Sequence, residues 1–313
     1  MQKESVVLSY IISVFNKADY IKTTIESIAF QSRDVMREVV FVDDCSTDNS
    51  IEVIESLQRK FESMFLQFKI VKNSVNSGPS VSNSNGAKVA SGEWLFFIDA
   101  DDVLIANSEN EILKITKIDK IDFLISKDIK TSEFNFNLQM KSNPDYFVYS
   151  QDLLENLLRL KFNYPLFVRK SLMEQVGFFN EKIFVQDVNI FLKLAIHAKR
   201  FAFLKVPKVQ ILVNEDPKKE SANLVRQHVC GFFAFKYALD DYARSLTNSE
   251  KNALMKKAVS VLWKFFRNDK LNWIKVQVLF VYIMKNIFTK QCYDFACKFF
   301  AKFENIDKNP TLK

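Results

Sequence analysis

Trp94-Leu95-Phe96-Phe97-Ile98-Asp99-Ala100-Asp101-Asp102 sets five apolar residues directly against three carboxylates within four positions. An apolar run of this length, with Gly92 just ahead of it to stop a preceding helix, predicts a buried strand of the kind found in parallel α/β sheets. Carboxylates crowded at the exit of such a strand repel one another, and a bound cation relieves that repulsion. Mg²⁺ or Mn²⁺ takes one or two carboxylates, with phosphate oxygens and water completing the octahedron, so the cluster suits a metal–diphosphate site. Read alone, it is equally a solvated acidic turn in which Asp101 and Asp102 cap the next segment.

Working outward, short β-rich runs alternate with amphipathic segments, the pattern of βαβ units around a mostly parallel sheet. Val6-Val14 reads as a first strand, followed by a helix over roughly Ala18 to Phe30. Val39-Val42 reads as a second, with Asp48 or Thr47 able to cap a helix over Ser50 to Phe61. Phe68-Val71 is a third, and Gly78-Pro79-Ser80 precedes a helix running to Ala90. In an open α/β sheet, ligands sit beyond the carboxyl ends of the strands. The polar turns Asn16, Asp43-Asp44, Asn76-Ser77 and Asp99-Asp102 all fall on that edge.

Farther on, Ile121-Ile125 is one more apolar run, Lys127 to Asp145 reads as surface hairpins or loops, and Tyr164 to Ala198 becomes organised again. From about Ser221 the chain reads as helices rich in Phe, Lys and Leu, with a cap at Asn248 or Ser249. With 313 residues, 48% hydrophobic and 26% charged, the chain fits one large domain, or one domain with a smaller one appended, and general disorder is excluded. Its four cysteines (Cys45, Cys230, Cys292, Cys297) lack zinc-site spacing and suit reduced thiols. Lys3 and Glu4 lead straight into a strand-like run, not a signal-peptide pattern, so a cytoplasmic location is expected.

Four blocks together resemble the inverting family-2 glycosyltransferases of the GT-A fold: Leu8 to Lys17, Val42 to Asp48, Asn85 to Trp94, and Asp99 to Asp102. The resemblance covers roughly residues 5–105 closely and 164–198 more loosely. It implies a Rossmann-like sheet flanked by helices, and an enzyme that moves a sugar from a nucleotide-diphosphate donor, a UDP-sugar by preference, to a hydroxyl. Hexosyl or N-acetylhexosaminyl transfer is the implied type, in building surface polysaccharide such as capsule or lipopolysaccharide. By the same resemblance Ser13, Phe15 and Asn16 lie against the nucleoside and Asp44 accepts a bond from the base. Asp99 and Asp101, with Asp102 beside them, hold ribose and metal; Asp101 and Asp102 are the metal candidates, and the resemblance leaves open which of the three carboxylates ligates it. Asp187 matches the general base that takes the acceptor's proton; without the resemblance it reads as a helix N-cap. Ser13 replaces the family's usual Pro, Asn83 stands where a nucleotide-holding basic residue is often found, and Gln186 replaces the usual Glu before Asp187. Asn83 and Gln186 motivate the alternative of a nucleotide-sugar or carbohydrate-binding protein without turnover. A nucleotidyltransferase is disfavoured because Ile11-Lys17 lacks a Gly-rich basic loop.

The charge of +7 is unevenly placed. Residues 251–313 carry 13 Lys/Arg against 4 Asp/Glu, and the rest is slightly acidic. Domains are therefore expected at 1–220, catalytic, and 221–313, basic and helical. Leu262 to Arg267 and Trp273 to Lys285 interleave aromatic, aliphatic and basic residues at helical spacing, in apolar runs too short to span a bilayer. The region suits an interfacial helix on an anionic membrane, packing on the catalytic domain, or an oligomer contact. Nucleic acid is not an expected partner, since no binding-motif framework accompanies the charge. The membrane reading makes the acceptor a lipid-linked saccharide at the inner face of the plasma membrane; otherwise it is a saccharide.

Overall fold

The computed structural model describes residues 7–31, 35–62, 66–135, 138, 145–160, 165–184, 187–212, 224–267 and 273–303. Packing divides the chain into two compact units, one of Met1–Leu153, Asn163–Phe178 and His197–Glu215, the other of Leu154–Phe162, Phe179–Ile196 and Asp216–Lys313.

The first unit is built on one mixed sheet. Its strands are β1 (Leu8–Val14), β2 (Arg37–Asp43), β3 (Leu66–Lys72), β4 (Trp94–Phe97), β5 (Asp102–Leu104), β6 (Phe123–Thr131), β7 (Tyr146–Tyr149), β8 (Leu166–Arg169) and β9 (Phe201–Leu212). Their order is β3-β2-β1-β4-β8-β6-β9-β5, with β7 beside β9. Strands β3, β2, β1 and β4 run parallel to their neighbours, joined through α1 (Ile21–Ala29), α2 (Ser50–Phe61) and α3 (Pro79–Val89). At β8 the direction reverses, which makes the far half mixed. The helices α4 (Ser108–Asp119) and α6 (Lys170–Gln175) complete this unit. The α/β class follows from the alternation of β and helical periods; the reversal at β8 has no such signature.

Strand β2 is buried along its whole length, polar residues included. Arg37 is tolerated there because it pairs with Glu109, which also accepts a 2.7 Å bond from the Tyr10 hydroxyl. Burial first, then the Glu109 charge, holds the Tyr10 phenol neutral far above its usual range. Glu38 takes bonds from Ser9 and Ser91 and pairs with Lys69, so each buried charge has its partner. Between β1 and β2 the helix α3 comes so close that a Cβ on Gly86 would lie 2.6 Å from Ile11 Cγ2 and 3.0 Å from Val42 Cγ2. Gly86→Ala should therefore lower stability by about 1–3 kcal/mol, measured by urea unfolding; an unchanged midpoint would refute this packing.

Three expectations change. The polar stretch after Lys127 is not all loop: β6 runs to Thr131, because Asp128–Thr131 pair with Val209–Leu212 while their outward side chains stay polar. The rest of that stretch lies partly outside the described residues. The N-cap position of α2 shifts to Asn49, whose side chain makes no capping bond; Asp48 still accepts from the first helical N–H, Ser50 N at 3.0 Å, as expected of it, and also from Ser50 Oγ at 2.6 Å and Ala18 N at 3.1 Å. The first helix begins at Ile21, since residues 17–20 form a turn closed by Lys17 O.

The second unit is helical. Its elements are α5 (Leu153–Arg159), α7 (Asp187–His197), α8 (Leu224–Tyr242), α9 (Asn248–Phe266), α10 (Trp273–Met284) and α11 (Thr289–Phe300). Thr247 caps α9 in a reciprocal box with Glu250, so the cap is one residue before the expected Asn248 or Ser249. Phenylalanines knit the helices: Phe232 of α8 stacks on Phe300 of α11 at 4.3 Å, and Phe265 of α9 meets Phe300 edge-on at 5.9 Å.

Candidate active site

The parallel order of β3, β2, β1 and β4 brings four loops to one edge of the sheet. After β1, Asn16 turns the chain with φ 54°, a conformation asparagine tolerates. Its Oδ1 accepts from Thr47 N at 2.8 Å and Asp48 N at 3.3 Å, and its own N–H donates to Ser46 Oγ at 3.1 Å. Asn16 thus fastens the loop after β1 to the loop after β2. Between these anchors Phe15 stands 46% exposed, a bare aromatic face beside a polar edge. Ser13 lies two residues before Phe15, on β1, in register with Val42.

Asp44 is 4% exposed, and its carboxylate is engaged by its own chain. Oδ1 accepts from Asn73 Nδ2 at 2.8 Å and Ser77 N at 2.9 Å, and Oδ2 from Gly78 N at 2.7 Å. A carboxylate has about four lone-pair positions, so it can take one bond more. Asn73 is the hub of this region: the same amide also donates to Ser82 Oγ, and its Oδ1 accepts from Asn85 Nδ2. Sequence reasoning passed over Asn73, whose signal was its place at the end of a strand on the ligand-binding edge. Asn83, the position expected to touch nucleotide, is 2% exposed within α3.

The acidic cluster is divided by the fold. Asp99 is exposed, whereas Asp101 and Asp102 are 9% and 4% exposed. A turn closed by the Asp102 N–H on Asp99 O separates them, and Thr24 Oγ1 holds the Ala100 carbonyl from below at 2.9 Å. The Lys17 ammonium lies 2.7 Å from Asp101 Oδ2. Lys17 was not among the expected site residues; its only sequence signal was a cation following Asn16. Among the described residues no three His, Cys, Asp or Glu side chains could hold a metal ion between them. Asp101 and Asp102 are two buried hard-oxygen donors, and an ion bound by one or two carboxylates takes its other ligands from diphosphate and water. The donor chemistry fits Mg²⁺ or Mn²⁺, and the ammonium on Asp101 shows that this oxygen already attracts a cation.

Asp187 belongs to the second unit, as the first residue of α7. It keeps some exposed surface, yet the protein around it desolvates the carboxyl and pushes its pKa from 3.8 up to about 6. Two residues on, Asn189 Nδ2 donates to the Ala234 carbonyl at 3.2 Å and fastens α7 to α8. Gln186 lies outside the described residues. A concavity lined by Val7, Trp94, Leu113 and Arg169 sits at the opposite end of β1 and β4 from Asn16 and the Asp99–Asp102 turn.

A parallel half-sheet, an acidic pair after β4 and loops pinned at the carboxyl edge define a class, and the family comparison agrees with it. The profile of "Glycosyl transferase family 2" matches residues 9–177, and the chain belongs to that family. Its sheet with flanking helices and a helical C-terminal region is the GT-A fold. Among individual proteins it is similar to the poly(ribitol-phosphate) beta-glucosyltransferase of Bacillus spizizenii, 28% identical over 122 residues, 38% of this chain and 19% of that protein. The chain spans 19% to 40% of the length of the first curated relatives it matches. In fold it resembles S. aureus TarS 1-349 in complex with UDP-GlcNAc, TM-score 0.69 at 18% identity, covering 96% of this chain and 90% of that one. It also resembles the mannosyltransferase PcManGT of Pyrobaculum calidifontis in complex with GDP-Man and Mn²⁺, TM-score 0.59 at 17% identity, covering 96% and 88%.

Proposed function

We propose that this chain is an inverting, metal-dependent glycosyltransferase that moves a sugar from a nucleotide-diphosphate sugar to a hydroxyl of a saccharide or lipid-linked saccharide in surface-polysaccharide synthesis. The observation that carries the reading is the burial of Asp101 and Asp102, with Lys17 upon Asp101, at the edge where Phe15 and the Asp44 loop also lie. A UDP-sugar is favoured as donor, in keeping with a structural neighbour that binds UDP-GlcNAc.

Each residue has its part. Phe15 offers a face to the base, Ser13 and Asn16 border the nucleoside, and Asp44 accepts from the base with its remaining lone pair. Asn83, buried in α3, supports that wall, and Asp99 faces the ribose. Asp101 and Asp102 would hold Mn²⁺ or Mg²⁺, which when bound neutralises the diphosphate and makes it a better leaving group. Asp187 takes the proton from the acceptor hydroxyl as that oxygen attacks the anomeric carbon. A carboxylate pushed up toward neutrality is a stronger base than a solvated one. Residues 1–220 carry this chemistry, with 221–313 as a basic helical region that can also serve oligomer contact.

Lys17 has a double role in this scheme: it satisfies Asp101 before the cation arrives and turns to the diphosphate afterwards. Lys17→Met should then tighten Mn²⁺ binding by about tenfold in the absence of nucleotide, because a charge-assisted bond no longer competes. It should weaken UDP binding at saturating Mn²⁺. Both are read by titration calorimetry, and movement of both affinities in one direction would count against the exchange.

The function itself is tested by thermal shift against nucleotide sugars with and without Mn²⁺. A ligand at a hundred times its Kd stabilises the folded chain by roughly 2.7 kcal/mol. A metal-dependent shift with one donor, followed by transfer to a saccharide, is the expected result. Binding without transfer or hydrolysis under any condition would instead favour a non-catalytic binding protein.

A further inference from the structure

Helix α10 is held to the second unit by one side and bare on the other. Val278 is 1% exposed, Tyr282 stacks on Trp263 of α9 at 5.6 Å, and the Lys285 ammonium covers the Tyr282 ring at 3.4 Å. At 100° per residue, Val276, Leu279, Phe280 and Ile283 point away from Val278, and Ile287 in the following turn extends the stripe. Phe280, Ile283 and Ile287 are 63%, 61% and 72% exposed. Isolated exposed hydrophobes need no explanation, but a contiguous helical stripe of them marks a contact surface.

The helix has 12 residues, and among the described residues no helix is long and apolar enough to cross a membrane. Its surroundings are basic: Lys264 and Arg267 end α9, and Lys290 and Lys298 stand exposed on α11. The region 251–313 holds 13 Lys/Arg against 4 Asp/Glu, a charge of +9. Charge decides the occupant. A second copy on this face would bring two strongly cationic regions together. An anionic lipid surface would neutralise them, and each basic residue brought close to it strengthens the attraction.

We infer that the outer face of α10 lies in the interfacial layer of an anionic bilayer, with the exposed cations of α9 and α11 at the headgroups. An amphipathic helix of this kind seats its apolar side some 5–10 Å into the headgroup and acyl boundary. The inference sharpens the general expectation of membrane contact to one helix face. It does not depend on sugar transfer, because it is read by binding alone.

The test is flotation of the full chain with vesicles of phosphatidylcholine plus phosphatidylglycerol, and with phosphatidylcholine alone, at low salt. The chain should float with the anionic vesicles and far less with the neutral ones. Phe280→Ser combined with Ile283→Ser should cut the bound fraction about tenfold or more, since both substitutions remove apolar surface that the bilayer would bury. Both residues are exposed, so the melting temperature should hold; if it falls, Ile287→Ser alone serves as the second variant. Flotation unchanged by these substitutions, or absent from the wild type, overturns the inference. So does a concentration-dependent dimer in sedimentation that the double substitution dissolves, because the face then belongs to a second copy. Binding to a soluble anionic polysaccharide that the double substitution abolishes overturns it as well.

Discussion

Asp187→Asn should lower kcat by about 10²–10⁴-fold while UDP and Mn²⁺ bind as in the wild type. The amide keeps the shape of the side chain and removes only its capacity to take a proton. In the wild type, kcat/KM should rise with pH through about 6, where the desolvated carboxyl ionises. The residual activity of the variant should lose that limb. Stability moves the other way. The folded pKa lies above the ordinary 3.8, so the unfolded chain holds fewer protons between about pH 4 and 6. The contribution of Asp187 to stability is therefore full below pH 4 and lost as pH rises to 6. Asp187→Asn removes this loss and should make the protein more stable at pH 7, by roughly 1 kcal/mol after allowing for the solvent that still reaches the group. A less active, more stable variant is the signature of a desolvated base. If Asp187 only capped α7, the substitution would leave kcat unchanged, because asparagine caps as well as aspartate.

Asp101→Ala and Asp102→Ala should each abolish the metal-dependent part of UDP binding and reduce transfer by at least about 10²-fold. Both carboxylates are buried, and neither can be replaced by solvent in neutralising a cation. Asp99→Ala should be far milder, since Asp99 is exposed and its proposed ribose contact is a solvated one. Calorimetry of UDP with and without Mn²⁺ separates the three. Metal dependence surviving in one of the two buried variants would make the other residue the ligand. Survival in both would remove the metal site from this edge. Asp101→Ala should further release Lys17, so its UDP affinity without metal should exceed that of Asp102→Ala.

Much of the nucleotide half was readable in the residues. The bounds of α2 are those expected from Ser50 to Phe61, and β4 ends within a residue of Ile98. Apolar runs and capping chemistry act over a few residues, so local sequence carries them. Lys127 to Thr131 escaped because a strand polar on one side looks like a loop until its partner, β9, is known. The same applies to the site: the acidic cluster and Asp44 announce themselves, but Lys17 and Asn73 do not.

The alternation of strands and helices in the first half, the edge at which ligand groups gather and the presence of an acidic site were thus determined by the sequence, because periodicity and turn chemistry are local, whereas the order of the strands was not. Only the tertiary structure decided that Asp101 and Asp102 are buried while Asp99 faces water, and that Lys17, 84 residues away, sits on Asp101. It alone decided that Asp44 spends its oxygens on the loop at 73–78, that Asp187 is desolvated, and that α10 turns its apolar stripe outward. Those outcomes depend on which distant groups share a small volume, and so on which charges lose water and which find a partner.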